Sequence, residues 1–561
     1  MKYQPDNPLI VQSDSTILLE VNNTKYQEAR ICISRFSELE KSPEHIHTYR
    51  ITPLSLWNAA SSGLDPNTII DQLNAYSKYD VPQNVLRDIL EFTGRYGKVR
   101  LTKADDSDVL LLHSTDPIFI EEISHNKSAL PYIAGRKDDN HLEIKPEHRG
   151  MIKQVLIKMG FPVEDLAGYR QGTPHPIHLR AETSAGHPFS LRHYQEDSVA
   201  CFYQAGSVRG GSGVIVLPCG AGKTIIGIAV MSQLQTQTLI LCTNIVAVRQ
   251  WMDEILDKTD IRPEDIGEYS GEKKEIKPIT ISTYQILTYR KDKQSDFAHF
   301  HLFNSQQWGL IIYDEVHLLP APIFRITSSI QSTRRLGLTA TLIREDGHES
   351  DVFSLIGPKK QDIPWKELEK EGWIATAFCH EIRVPLPDHL RMQHAMATSK
   401  TQYRIASENT AKISIVQKLL EKHKNDNVLI IGQFLTQLDE ITEVIKAPLI
   451  TGSTKNEERQ RLYSEFKSGK IKILIVSKVA NFSVDLPDAN VAIQISGTFG
   501  SRQEEAQRLG RILRPKKTGE HAHFYSIITR ETADQKYAAK RQLFLTEQGY
   551  SYEIIDSKSL E

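Results

Sequence analysis

The segment LPCGAGKT (217–224) follows the β-branched run GVIVLP and precedes the apolar stretch IIGIAVMSQL. Strand, glycine loop, Lys-Thr pair and helix, in that order, predict a phosphate-binding loop. Gly220 and Gly222 would let backbone N–H groups turn toward phosphates at the positive end of the helix, with Leu217, Pro218, Cys219 and Ala221 completing the loop. Lys223 would reach the β- and γ-phosphates of a nucleotide, and the Thr224 hydroxyl would ligate Mg2+. One residue departs from the GxxxxGK[ST] pattern, which wants glycine where Leu217 stands. A second acidic element, Asp314-Glu315-Val316-His317, follows the run GLIIY. At the end of a buried strand, Asp314 would hold Mg2+ through water, and Glu315 would orient and deprotonate an attacking water. A nucleoside triphosphate and Mg2+ are therefore the expected ligands.

These residues need elements to carry them. From Phe189 onward, short apolar runs (GVIVLP, TLILCT, ITISTY, GLIIYDE, then NVLIIGQF, KILIVS, VAIQIS) alternate with amphipathic segments. Buried strands at that spacing predict parallel sheets with helices on both faces. The runs fall on either side of residues 357–425, so two α/β domains are expected, over 186–356 and 426–561, with 357–425 as a linker. Upstream, 1–106 reads as a small mixed α/β domain. It has a hairpin around the QSDS turn, short helices punctuated by Thr52-Pro53, Gly63 and Pro66, and a closing strand KVRL in a winged-helix-like order. Residues 107–185 read as a second small domain, with the strand VLLLHS, helices at DPIFIEEISHN and PEHRGMIKQVLIKMGF, and a Gly-, Pro- and His-rich connection.

Composition removes several alternatives. Lys+Arg 68 against Asp+Glu 70 leaves a net charge of −2, so no basic coat exists and any nucleic acid must sit in a local groove. Five scattered cysteines without a CxxC pair argue against a disulfide framework or a thiolate zinc site. The pairs HIH (His45, His47) and HAH (His521, His523) read as strand-surface residues rather than metal ligands. No signal sequence is legible, and no apolar run approaches the roughly 18 residues of a membrane span. A cytoplasmic monomer without membrane contact is the expectation.

Taken in order, LRHYQ (191–195), LPCGAGKT, DEVH, LTAT (338–341) and QRLGRILRP (507–515) resemble a superfamily 2 helicase, where the loop form lacking glycine at the first position is frequent. A finer resemblance is to the XPB family of DNA repair and transcription helicases. It is carried by Arg344-Glu345-Asp346 after GLTATLI and by SPEHIHTYRITPLSLWNAA near the amino terminus. The resemblance implies two RecA-like lobes with ATP between them, preceded by two accessory domains, the second in the place of a damage-recognition domain. Arg192 and Gln195 match the element that recognises the adenine end of ATP. Thr339 and Thr341 match the motif that links nucleotide state to lobe closure, with His317 as its contact. Gln507, Arg511 and Arg514 match the second-lobe face, the arginines stabilising charge on the transferring phosphoryl.

The same resemblance places DNA against Cys242-Thr243-Asn244 with Gln250-Trp251, against Thr283-Tyr284-Gln285, and against Gly452-Ser453 and Ser477-Lys478. It makes Arg344, Glu345 and Asp346 the strand-separating element, and Lys400, Tyr403 and Arg404 candidates in a thumb-like insertion. It implies an ATP-dependent DNA helicase or translocase tracking 3′ to 5′ in repair or transcription, with a nuclease or another repair or transcription protein as partner. The rival readings are an RNA helicase, a restriction-type DNA motor, and a non-catalytic ATP-binding scaffold. DEVH and the R-E-D element weigh against RNA, and the presence of Glu315, Gln507, Arg511 and Arg514 weighs against a scaffold.

Overall fold

The computed structural model describes residues 3–43, 45–104, 109–218, 220–292, 297–340, 349–477, 489–497 and 521–560. The chain forms two compact units, one of residues 1–38, 49–217 and 222–362 and one of residues 39–48, 218–221 and 363–561.

The first unit centres on a seven-stranded, wholly parallel sheet. Its order is Ile266–Tyr269, Ile279–Thr283, Thr238–Cys242, Leu310–Asp314, Arg334–Thr339, Ser212–Val216, Lys359–Asp362. The runs TLILC and ITIST are buried at every position because helices cover both faces. Non-consecutive neighbours bring chemistry together. In one row along the carboxyl edge stand Thr283, the 243–244 turn, Asp314, Thr339 and the loop that begins at Leu217. In open parallel sheets that edge is where ligands bind.

Ahead of it, Leu9–Val11 and Thr16–Glu20 pair antiparallel as the QSDS turn predicts. Thr52 caps the helix Pro53–Ser61 through a reciprocal pair with Ser55, with Pro53 opening the helix. The strand Val99–Lys103 does not close this domain as a wing. It pairs with Leu110–Ser114 and Val163–Asp165 in a five-stranded sheet, so the division at 106 cuts through the second domain. Its parallel partner Val163–Asp165 lies some sixty residues away, and such pairing leaves no local signal.

The second small domain is clamped to the parallel sheet's helices by the helix Arg149–Lys158. A Cβ at Gly150 would lie 2.3 Å from the Ser328 carbonyl oxygen, so only glycine permits this approach. Beside it the buried Lys153 ammonium donates to Asp165 (2.7 Å) and to Gln331 Oε1 (2.6 Å), while Gln154 donates to Asp351 (2.9 Å). Burial, against the pull of Asp165, brings Lys153 down to about 8.

The second unit has its own seven-stranded parallel sheet, ordered Leu449–Ile450, Ile473–Ser477, Val428–Gly432, Val491–Gln494, Ala522–Thr529, Ala377–Val384, Tyr552–Asp556. Residues 357–425 are more than a linker. Lys359–Asp362 is an edge strand of the first sheet, and Ala377–Val384 is an internal strand of the second, followed by the helices Asp388–Met396, Ser399–Ser407 and Ala411–Lys422. The run AFCHEIRV carries polar residues at internal positions, which hid its strand character.

His47 and His523 lie in the strands Ile46–Arg50 and Ala522–Thr529. His523 stacks on His380 (centroids 5.6 Å), which stacks on Tyr525 (4.6 Å), with His423 5.1 Å from His523. Burial first, then His423, His380 and Lys422, pull His523 down to about 4 from 6.5. The unfolded chain therefore takes up the proton first as pH falls. The stabilising contribution is complete above the unfolded value of 6.5 and is lost as pH falls toward 4. Thermal melts from about pH 7 to about pH 4.5 should fall more steeply for the native chain than for His523→Gln. Parallel curves would refute this account.

Candidate active site

Between Ser212–Val216 and the helix Lys223–Leu234 the backbone passes through Gly220 (φ +81°) and Gly222 (φ +85°), left-handed geometry that glycine adopts without strain. Gly222 has a second reason to be glycine. A Cβ there would lie 2.6 Å from Gln195 Nε2. Gln195 is buried and held, its Oε1 accepting the Arg192 backbone N–H at 3.0 Å. LRHYQ and the glycine loop thus meet at one amide. Leu217 is fully buried at the strand end, where its N–H donates to the Thr339 carbonyl (2.9 Å); the departure from glycine fills core there. Gly222→Ala would force a side chain into left-handed backbone at about 1–2 kcal/mol. ATP affinity should fall roughly tenfold by calorimetric titration; an unchanged Kd would refute the cradle.

At the adjoining strand end, Lys223 Nζ lies 2.5 Å from Glu315 Oε1. Glu315 sits at φ +49°, a strained setting for a non-glycine residue of the kind that collects at functional sites. Burial first, then the Glu315 charge, push the Asp314 carboxyl up despite Lys223 nearby. Burial works to raise Glu315 too, but Lys223 and then His317 outweigh it and hold that carboxyl below its usual range. Two carboxylates thus share one lysine, and Glu315 Oε2 is buried without a hydrogen-bond partner among the described residues, His317 Nδ1 standing 3.4 Å away. Hard oxygen donors short of one positive charge fit a divalent cation such as Mg2+. Thr224 is half-buried in the first turn of the helix, beside this pair in sequence terms. His317 Nδ1 and Thr339 Oγ1 are 2.6 Å apart and both side chains are buried.

Asp314 is gripped from its other side. Trp251 Nε1 donates to Asp314 Oδ2 (3.0 Å), and the Tyr284 hydroxyl donates to the Asp314 carbonyl (2.8 Å). Both rings are buried, which corrects their reading as positions on the DNA surface. The helix Ile245–Lys258 buries Val248, Trp251 and Ile255, and that spacing in VRQWMDEI is the signal that would have turned Trp251 inward.

The proposed DNA positions are placed as follows. Asn244 caps the helix Ile245–Lys258, its Oδ1 accepting from Ala247 N (3.0 Å) and its amide donating to Thr243 Oγ1 (3.1 Å). Thr283 is buried and caps the next short turn through Ile286 N (3.3 Å). Ser453 is exposed with its hydroxyl 2.8 Å from Thr451 Oγ1, and Ser477 is buried at the end of Ile473–Ser477. Lys400 is exposed on Ser399–Ser407. Tyr403 is buried with its hydroxyl donating to the Gly497 carbonyl, and Arg404 pairs with Glu408 (2.9 Å), so Tyr403 is a core residue and not a DNA contact. Cys219, Thr341, Arg344, Glu345, Asp346, Lys478, Gln507, Arg511 and Arg514 lie outside the described residues.

Three family models match along the chain. They are "ERCC3/RAD25/XPB C-terminal helicase" over residues 368–560, "Type III restriction enzyme, res subunit" over 188–344, and "Helicase conserved C-terminal domain" over 9–137. The chain is 53% identical over 555 residues to "DNA 3'-5' helicase XPB" of Mycobacterium tuberculosis, covering 99% of each chain. It is 51% identical to the protein of that name from Kineococcus radiotolerans, covering 99% of this chain and 98% of that one. It is 32% identical to "General transcription and DNA repair factor IIH helicase/translocase subunit XPB/SSL2" of Saccharomyces cerevisiae, covering 99% and 73% respectively. Among solved structures, the DNA-bound "ATP-dependent Type ISP restriction-modification enzyme LlaBIII" superposes with a TM-score of 0.50 at 11% identity, over 66% of this chain and 31% of that one, a likeness of fold.

Proposed function

The chain belongs to the XPB family of DNA helicases, and from that premise we propose that the carboxyl edge of its first parallel sheet is the ATP-hydrolysing site of a 3′-to-5′ DNA motor. It is an ATP-dependent DNA helicase of repair or transcription. The observation that carries the site assignment is Lys223 Nζ lying 2.5 Å from Glu315, next to Asp314, at the mouth of a left-handed glycine loop.

Lys223 would exchange Glu315 for the β- and γ-phosphates of ATP. Glu315, released and still ionised, would take the proton of the attacking water. Thr224 and Asp314 would hold Mg2+, which when bound supplies neutralisation of charge on the phosphates. Arg192 and Gln195 would bind the adenine end, while Leu217, Pro218, Cys219, Gly220, Ala221 and Gly222 would wrap the phosphates. Gln507, Arg511 and Arg514 would complete hydrolysis, the arginines stabilising the transferring phosphoryl. His317, through Thr339 and onward to Thr341, would register the nucleotide state. Asn244, Ser453 and Lys400, with the main chain at the buried Thr283 and Ser477, would lie along the DNA backbone, with Arg344, Glu345 and Asp346 parting the strands. A nuclease or other repair or transcription protein would act with it.

Steady-state ATPase assays without nucleic acid, with single-stranded DNA, with forked duplex and with RNA test the reading. DNA should raise turnover several-fold and RNA should not. Stimulation by RNA alone, or by nothing, would overturn it.

A further inference from the structure

Asp314 stands at the midpoint of the carboxyl edge, between two groups of segments. On one side are Thr339 and the loop at Leu217; on the other are the 243–244 turn and Thr283. From that second side come two aromatic donors. Trp251 is on the helix that Asn244 caps, and its indole N–H reaches the Asp314 carboxylate at 3.0 Å. Tyr284 directly follows Thr283, and its hydroxyl reaches the Asp314 carbonyl at 2.8 Å. Both rings are buried, 1% and 4% exposed, so neither is available to a ligand.

The fit of the indole is built into the neighbouring helix. Gly227 lies in Lys223–Leu234, where glycine costs about 1 kcal/mol against alanine. A Cβ there would lie 2.4 Å from the Trp251 ring atom Cη2. The absent side chain is the space that lets the indole lie against the helix and aim Nε1 at Asp314.

We propose that Trp251 and Tyr284 are positioning residues that set the Asp314 carboxylate for its cation and transmit DNA engagement at Asn244 and Thr283 to it. The inference rests on the functional reading above. The helix Ile245–Lys258 and the Thr283 turn each join a DNA-side cap to Asp314 by a side-chain hydrogen bond. A shift of either element on DNA would move a donor at Asp314. Loss of a hydrogen bond that orients a metal ligand weakens metal affinity by roughly 10–100-fold.

The test is the Mg2+ dependence of binding of a fluorescent ATP analogue to the full chain, with and without forked DNA. Trp251→Phe removes the donor and keeps a ring; Tyr284→Phe removes only the hydroxyl. Gly227→Ala displaces the indole without touching Asp314, and a melting curve beside it reads any cost of overpacking the core. In the native chain DNA should lower the Mg2+ midpoint. In Trp251→Phe and Gly227→Ala the midpoint should rise roughly tenfold or more, with the response to DNA lost. Tyr284→Phe should show a reduced response to DNA. Analogue binding without Mg2+ should be unchanged in all three, which separates positioning from damage to the loop. A native midpoint that DNA moves equally in all variants overturns the inference alone. A native chain whose nucleotide binding ignores Mg2+ overturns the functional reading and the inference with it.

Discussion

Glu315→Gln should abolish steady-state ATP hydrolysis, lowering kcat by about 10²–10⁴-fold, the range over which a positioned general base contributes. The amide keeps the volume of the side chain and its tolerance of the φ +49° backbone. What it loses is the negative charge that Lys223 holds below the usual carboxylate range, and with it the capacity to accept a proton. Binding of ATP should survive within a few-fold, since Lys223 no longer has to leave an ion pair to reach phosphate. Titration calorimetry beside turnover separates the two effects. A variant that binds ATP normally and still hydrolyses at the native rate removes Glu315 from the chemistry. A variant that loses binding and melting temperature together makes the Lys223–Glu315 pair a structural strut.

Asp534→Ala should be the most destabilising single change in the second unit. Lys412 and Asp534 are wholly buried and Arg541 nearly so. The Lys412 ammonium donates to Asp534 Oδ2 (2.8 Å) and to the Ile495 carbonyl (2.9 Å), the same carboxylate oxygen accepts the Thr529 N–H (3.0 Å), and Arg541 Nη2 stands 3.9 Å from Oδ1. Burial pulls the Lys412 ammonium down, and Asp534 is the main force opposing it. Deleting the carboxylate leaves two cations in the core, a change worth about 3–5 kcal/mol. The corresponding melting-temperature drop is roughly 6–20 °C for a unit of this size. Lys412→Met should cost less, because Asp534 keeps Arg541 and the Thr529 N–H. Equal losses in the two variants would show that Arg541 draws nothing from Asp534.

Much of the candidate site was legible because its signals are local. The glycine loop, the Lys-Thr pair and the acidic residues after GLIIY each combine a turn requirement with a strand or helix beside it, and that combination is written within a few residues. The apolar runs of both parallel sheets stand out for the same reason, since strands covered on two faces carry hydrophobic residues at consecutive positions. Trp251 and Tyr284 were misplaced because proximity to a motif in the sequence says nothing about which way a ring points. Tyr403 failed in the same way: KTQYRIA reads as a basic helical face, yet the ring is core and only its neighbours face outward. The strand Val99–Lys103 was given to the wrong domain and Ala377–Val384 was left inside a linker, because the pairings that place them, with Val163–Asp165 and with Ala522–Thr529, join residues that are distant along the chain.

By itself, then, the order of residues determined the chemical kind of this protein: a nucleoside-triphosphate loop, an acidic partner strand, and the family whose motifs follow in register. Backbone geometry and local charge suffice for that, since each motif carries its own conformational demand. The tertiary structure alone decided how those parts act on one another. Crossover connections place Asp314 between segments drawn from positions 217, 244, 283 and 339, and that arrangement pairs Lys223 with Glu315, His317 with Thr339, and Trp251 and Tyr284 with Asp314. Distances between such residues are set by sheet order and by the packing of buried side chains, both of which depend on the whole fold rather than on any stretch of it.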